Sequence, residues 1–172
     1  MLSWWKAFLD ILYPPRCPAC KGEVATHGRW CHHCLRHVLS VRELNCADHN
    51  LKHLDGCLAV CAYTGSVKRL IHAMKFQRKK KYALSLRRLL EEGRIARRLC
   101  EVNLVLPVPL SAQRLRERGY NQVEAVFAKW AKTEKLPWEP QLLLRSKNTL
   151  PQWTLTVPER RKNIKDAFFL TR

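Results

Sequence analysis

The sequence predicts an α/β protein that carries a small zinc-ribbon module near its N-terminus. Two Cys-x2-Cys pairs lie close together, and after residue 55 short apolar runs alternate with segments of helical periodicity. Apolar residues make up 47% of the 172 residues and charged residues 27%, so the chain has enough apolar side chains for a core. No apolar run is long enough for a membrane-spanning helix.

The charge is strongly basic. Lys and Arg number 32 and Asp and Glu number 14, which gives a formal net charge of +18. Such an excess favours a polyanionic partner, namely nucleic acid, a phosphorylated ligand or an anionic membrane surface.

Residues 1–15 predict a short amphipathic helix. Its apolar positions at helical spacing are Leu2, Trp5, Phe8, Leu9 and Leu12. The helix either docks on the rest of the protein or lies on a membrane surface, although a surface anchor would need more basic residues on its polar face. The segment lacks the basic start and the small-residue cleavage site of a signal peptide, so we expect a cytoplasmic protein.

Residues 16–55 predict a zinc-ribbon head. The spacing is Cys-x2-Cys-x10-Cys-x2-Cys, and the four predicted ligands are Cys17, Cys20, Cys31 and Cys34. Two residues between thiolates allow one turn to direct both sulfurs at one ion, and a second turn completes the tetrahedron. Four thiolates leave no open coordination position, so we predict one structural zinc. Disulfides are not expected without a secretion signal.

Nearby donors leave two alternatives open. His27, His32 and His33 surround the second pair, and one imidazole would be able to replace a thiolate. Cys46, His49 and His53 have loosely metal-like spacing but no partner pair. We interpret these residues first as surface or packing groups.

Residues 56–172 predict the α/β domain. Residues 56–65, with Cys57 and Cys61 on one face, read as a buried strand. Residues 66–100 read as two helices joined at the basic residues 78–81, with Cys100 as a core thiol. Phe76 and Tyr82 flank the joint, and aromatic side chains beside basic ones stack nucleic-acid bases. A solvated face with inward-packed aromatics explains the joint equally well.

The second half repeats the strand-to-helix pattern. Residues 102–108 predict a strand, residues 109–119 a loop with three alternating arginines, and residues 120–135 a helix capped by Asn121. Phosphates bind where a strand leads through a basic loop into a helix N-terminus. The last stretch, residues 142–172, is basic and ends in a predicted strand at Ala-Phe-Phe-Leu.

Several motifs then occur in one order. After the two Cys pairs come Tyr63-Thr-Gly65, Leu70-Ile-His-Ala-Met-Lys-Phe76, Leu106-Pro-Val-Pro-Leu110, Arg114-Leu-Arg-Glu-Arg-Gly-Tyr-Asn-Gln122 and Gln152-x2-Leu155-x4-Arg160-x2-Asn163-x3-Ala167-Phe168. Together they resemble the ComF family of competence and DNA-utilisation proteins, also called GntX-type, over most of residues 13–170. The resemblance implies a zinc-ribbon head on a type I phosphoribosyltransferase-like sheet with flanking helices.

The sequence departs from the family pattern in two places. Many members have a second set of Cys pairs, and here only Cys46 with His49 remains. Members also continue into an Asp-Asp strand end and a Thr-Thr-Gly loop for phosphoribosyl pyrophosphate and Mg²⁺, and neither motif occurs here. We therefore expect this chain to be a fragment or only marginally stable, and inactive as a phosphoribosyltransferase. No catalytic residue is assigned.

The resemblance implies a role in the uptake or use of external DNA, through single-stranded DNA or a DNA-translocating helicase. The residues expected to contact phosphate are Lys75, Arg78, Arg114, Arg116, Arg118, Arg160 and Arg161. The last two, with Asn163, follow from the family pattern, and a solvated turn explains them equally well. The alternative functions are a phosphoribosyltransferase that needs a longer form, and an adaptor whose zinc ribbon docks a helicase.

Overall fold

The computed structural model describes residues 2–99 and 101–171, which fall into two compact units, Met1–Cys100 and Glu101–Arg172. Cys100, expected as a core thiol, lies outside the described residues, as do the side chains of Leu2 and Trp5. Each unit is described by itself.

Within its described residues, the first unit combines four α-helices with one small sheet. Its elements are α1 (Leu2–Leu12), α2 (His32–Val38), β1 (Leu39–Leu44), β2 (Cys57–Cys61), α3 (Gly65–Phe76) and α4 (Ala83–Glu92). Strands β1 and β2 pair antiparallel. The predicted strand around Cys57 and the two predicted helices are therefore present, and the basic joint between the helices holds a 3₁₀ turn at Lys80–Tyr82.

The core of this unit joins the Cys pairs to the helices. Cys17, Trp30 and Cys34 pack in one buried cluster with Val67 and Leu70 of α3 and Leu89 of α4. The indole N–H of Trp30 donates a hydrogen bond of 2.8 Å to the backbone carbonyl of Ser85 in α4. The contact matters because a buried indole N–H requires a partner. The Cys-rich segment is thus built into the same core as α3 and α4.

Helix α1 forms as predicted, but its apolar positions are not fully packed. Phe8, Leu9 and Leu12 are 48%, 51% and 57% exposed. A polar contact joins this helix to the next segment, since Asp10 Oδ1 lies 3.0 Å from Nε2 of His27.

Over residues 101–171, the second unit contains three α-helices and one small sheet. Its elements are α5 (Ala112–Arg118), α6 (Gln122–Thr133), β3 (Leu143–Arg145), α7 (Val157–Ile164) and β4 (Phe168–Leu170). Strands β3 and β4 pair antiparallel, with Leu143 opposite Leu170 and Arg145 opposite Phe168. Val126, Trp130 and Ala131 of α6 are buried and give the unit its apolar interior.

The strand predicted at residues 102–108 is not part of a sheet in the described structure. Val105 alone forms a parallel bridge, receiving a hydrogen bond from Glu139 N (3.1 Å) and donating one to Pro137 O (2.7 Å). Pro107 and Pro109 have no N–H, so the pairing cannot continue beyond them. Among the described residues both sheets are two-stranded and antiparallel, so the observed class is mixed helix and small sheets. The parallel sheet implied by the resemblance is not present in them.

The arginine-rich loop predicted at residues 109–119 is instead largely the helix α5. Ser111 caps it, because its hydroxyl accepts from the backbone N–H of Arg114 (3.4 Å). Gly119 ends it with φ +82°, a conformation that glycine adopts without steric cost. Helix α6 consequently begins at Gln122 rather than at residue 120, and Asn121 caps it as predicted by accepting from Val123 N (2.9 Å).

Candidate metal centre and basic surfaces

Two local structures position the four cysteines. The first pair lies in a tight knuckle closed by Cys17 N donating to Gly22 O (2.8 Å) and by Lys21 N donating to Cys17 O (3.0 Å). Lys21 adopts φ +67°, which turns the chain back after Cys20. The second pair lies at the start of α2, where Cys31 is the N-cap and Cys34 sits in the first turn. Both pairs thereby point into one site.

The geometry of the four thiols fits a zinc ion. All four Sγ atoms of Cys17, Cys20, Cys31 and Cys34 lie within 4.8 Å of one another. The Sγ atoms of Cys20 and Cys31 are 3.7 Å apart. Tetrahedral Zn–S bonds of about 2.3 Å place sulfurs about 3.8 Å apart, so little movement would be needed to bind the ion. With four sulfur ligands such a site cross-links the chain and leaves no position for a substrate.

Hydrogen bonds and burial shift the pKa values of Cys17 and Cys34 in opposite directions. Burial acts to raise the pKa of Cys17, but N–H donors from the backbone of Cys31, Cys20 and Ala19 outweigh it and lower that pKa. Burial raises the pKa of Cys34, and the neighbouring cysteines raise it further. Cys17 therefore ionises more readily than Cys34, and a divalent cation in the site would favour the thiolate form of both.

The other metal-like donors stand apart from this cluster. Among the described residues, the four cysteines are the one group of three or more Cys, His, Asp or Glu side chains close enough to share an ion. Cys46 is half-buried, whereas His49 and His53 are exposed. His33 packs its ring against that of His37, with 4.5 Å between the centroids.

The predicted phosphate ligands of the first unit lie on α3 and just after it. Lys75 is half-buried on α3, and Arg78 is exposed with φ +55°. The same unit contains a cleft of about 430 Å³, which is bounded by the first Cys knuckle, α3 and the turn before α4, and neither Lys75 nor Arg78 is among its lining residues. Its lining residues are Pro18, Lys21, Lys68, Arg69, Leu70, His72, Ala73, Gln77, Lys79 and Tyr82. No motif in the sequence predicted this cleft.

The arginines of α5 do not form one cluster. Arg114 and Arg118 are four residues apart and share a face of the helix, whereas Arg116 is exposed on another. Arg114 donates to the carbonyl of Thr149 (2.8 Å), and Arg145 donates to the hydroxyl of the same residue. Burial and the nearby Arg114 charge lower the pKa of Arg145. Arg145, which no sequence motif predicted, thus lies with Arg114 at Thr149.

The residues carried over from the family pattern mainly hold the segment before α7. Nε of Arg160 donates to the carbonyls of Gln152 (2.8 Å) and Leu155 (2.9 Å). The amide of Asn163 donates to Leu150 O (3.0 Å) and accepts from Leu150 N (3.1 Å). Arg161 is exposed. The pattern around Arg160 and Asn163 therefore has a structural explanation in this unit.

Comparison with known proteins agrees with these features. The family model described as "Double zinc ribbon domain" matches residues 8–62. DNA utilization protein YhgH of Salmonella typhimurium is 33% identical over 117 residues, which are 66% of this chain and 52% of that protein. The protein of the same name from Escherichia coli O157:H7 is 31% identical over 159 residues, 90% of this chain and 64% of that protein.

Competence protein F of Haemophilus influenzae is 29% identical over 160 residues, 91% of this chain and 64% of that protein. These matches confirm the resemblance to the ComF family. The chain spans between about half and two thirds of the length of these relatives. No solved structure gives a significant match to this chain. In the part of the chain that the structure describes, no helix is long and apolar enough to cross a membrane.

Proposed function

We propose that this chain acts in the uptake or use of DNA and binds single-stranded nucleic acid through its basic surfaces. The observation that carries the proposal is the charge balance: 14 acidic side chains are too few to neutralise 32 basic ones. Released counterions make such a surface bind polyanions tightly at low salt. The relatives named DNA utilization protein and competence protein F support the same role.

In this proposal the four-cysteine cluster holds the shape of the first unit. Cys17, Cys20, Cys31 and Cys34 would hold a structural zinc, and the ion would supply a cross-link between the knuckle and α2. The cysteines need a reducing environment to remain ligands, which agrees with a cytoplasmic protein.

The side chains proposed to contact phosphate are exposed and half-buried cations, and both units contribute some of them. They are Lys75, Arg78, Arg114, Arg116, Arg118, Arg160 and Arg161. The bonds that Arg114 and Arg160 make to backbone carbonyls fix the two side chains without using every donor, because a guanidinium carries five N–H groups. A DNA-translocating helicase remains a proposed partner, and phosphoribosyl transfer remains an alternative for a longer form.

Fluorescence anisotropy with a labelled oligo(dT) of about 20 nucleotides tests the proposal. If the seven cations each neutralise one phosphate, the logarithm of the binding constant falls with the logarithm of the salt concentration with a slope of about −5. A duplex of the same length serves as the control for strand preference. Binding that is absent at low salt, or that does not change with salt, would contradict the proposal.

A further inference from the structure

The cleft of the first unit has the composition of an anion site. Its charged lining residues are Lys21, Lys68, Arg69 and Lys79, which come from the Cys knuckle, from α3 and from the turn after α3. None of the ten lining residues is acidic. Like charges on three separate segments repel one another, and a phosphate placed among them relieves that repulsion.

Aromatic rings lie inside the cleft and at its edge. Tyr82 and His72 line the cleft. The ring of His72 also packs against that of Phe76, with 4.6 Å between the centroids, and Phe76 is 62% exposed. An exposed ring pair beside cations offers a base a surface for stacking. The ammonium of Lys81 lies 5.7 Å from the centroid of Tyr82 and adds positive charge at the same edge.

The size of the cleft suits one nucleotide. A volume of about 430 Å³ lies at the lower end of the range for small-molecule sites. We propose that this cleft binds one nucleotide of single-stranded DNA, with its phosphate among Lys21, Lys68, Arg69 and Lys79 and its base against the His72 and Phe76 rings. The inference rests on the proposed function and adds a site whose cations are separate from the seven phosphate ligands named above.

The first Cys knuckle forms one wall of this site through Pro18 and Lys21. Pro18 lies between the ligands Cys17 and Cys20, and Lys21 follows the second of them directly. Nζ of Lys21 donates to the carbonyl of Pro18 (3.2 Å), which holds the lysine on the knuckle. The shape of the cleft therefore depends on the cysteine cluster.

The test compares two doubly substituted chains that lose the same charge. Lys68→Gln/Arg69→Gln removes two exposed cations from the cleft, and Lys129→Gln/Lys132→Gln removes two exposed cations from α6. Both variants keep every cysteine and every buried residue, so both should fold and retain metal, which zinc content and circular dichroism verify. Binding of labelled oligo(dT) is measured for each variant across salt concentrations.

The cleft variant is expected to bind at least tenfold more weakly at low salt, with a salt slope smaller by about 0.7, since the cleft holds one phosphate and each single-strand phosphate contact contributes about 0.7. The α6 variant should change affinity by less than about threefold with an unchanged slope. Phe76→Ala should weaken binding about tenfold with no change in slope, because stacking is not electrostatic.

Two negative outcomes are distinguishable. If the unsubstituted chain does not bind oligo(dT), the proposed function fails and the cleft site falls with it. If that chain binds but the two variants have equal affinity for oligo(dT), the cleft site is overturned while the proposed function stands. Competition with thymidine 5′-monophosphate separates two sources of the ligand. If this nucleotide displaces oligo(dT), a free nucleotide fills the cleft. If it does not displace oligo(dT) while the cleft variant still binds more weakly, only a nucleotide within a strand fills the cleft.

Discussion

Gly28 lies between the two Cys pairs at the point where the head approaches α4. Its φ is +81°, and a Cβ built there would lie 2.4 Å from Cγ of Leu84 and 3.1 Å from Cβ of the same residue. The leucine Cβ is fixed to the backbone of α4, so a rotamer change cannot clear the whole side chain. Gly28→Ala therefore forces either the head or α4 to move.

Two terms set the size of the effect. A non-glycine residue in the left-handed region costs about 1–2 kcal/mol. Overpacking a well-filled contact costs about 1–3 kcal/mol more. Gly28→Ala should therefore lower the free energy of unfolding by about 2–5 kcal/mol, which a urea titration of the zinc-loaded chain followed by tryptophan fluorescence measures.

Gly65→Ala is the matched control in the same unit. Gly65 also has a positive φ (+47°), but nothing lies within 4 Å of a Cβ built there, so only the backbone term applies. The Leu84→Ala background should rescue Gly28→Ala by about 1–3 kcal/mol, since it removes the two closest atoms, Cγ and Cδ2, and leaves only the Cβ contact at 3.1 Å. If Gly28→Ala cost no more than Gly65→Ala, or if Leu84→Ala gave no rescue, the packing of the head on α4 would be refuted.

Two further substitutions test single contacts. Trp30→Phe removes the indole N–H that donates to α4, and it should lower the free energy of unfolding of the first unit by about 1–3 kcal/mol, because a hydrogen bond is lost and the ring is smaller. An unfolding midpoint equal to that of the unsubstituted chain would argue against this contact. Asn163→Ala removes both hydrogen bonds to Leu150 and should lower the free energy of unfolding in chemical denaturation by about 1–3 kcal/mol. Asn148→Ala removes one exposed hydrogen bond to Gln113 and should lower it by less. Equal losses would count against a stabilising role for the bonds between Asn163 and Leu150.

Local signals in the sequence predicted the elements that depend on nearby residues. The spacing from Cys17 to Cys34 predicted the thiol cluster, because a knuckle is set by a few adjacent residues. The apolar period around Leu70 predicted α3, and Asn121 predicted a helix start. In each case the determining residues lie within one or two turns of one another.

The sequence did not predict features that depend on distant residues. Lys21 and Lys68 line the same cleft although more than forty positions separate them in the sequence. Nothing in either local sequence indicates that the two residues lie near one cleft. In the segment expected as a strand at residues 102–108, only Val105 pairs with another segment. A strand forms only where a partner strand is available, and local propensity does not supply one. Ser111 and Gly119 are residue types that favour the start and the end of a helix, so the sequence did contain signals for α5. The alternating arginines between them favoured the interpretation as a loop instead.

In the proposed function, a zinc-bound cysteine cluster holds the basic cleft in which single-stranded DNA binds. Oligo(dT) affinity before and after zinc is removed with a chelator, and again after zinc is restored, tests this dependence. We predict at least a tenfold loss of affinity on removal and recovery on addition of zinc, because the knuckle forms one wall of the cleft. Equal affinity with and without zinc would contradict the claim.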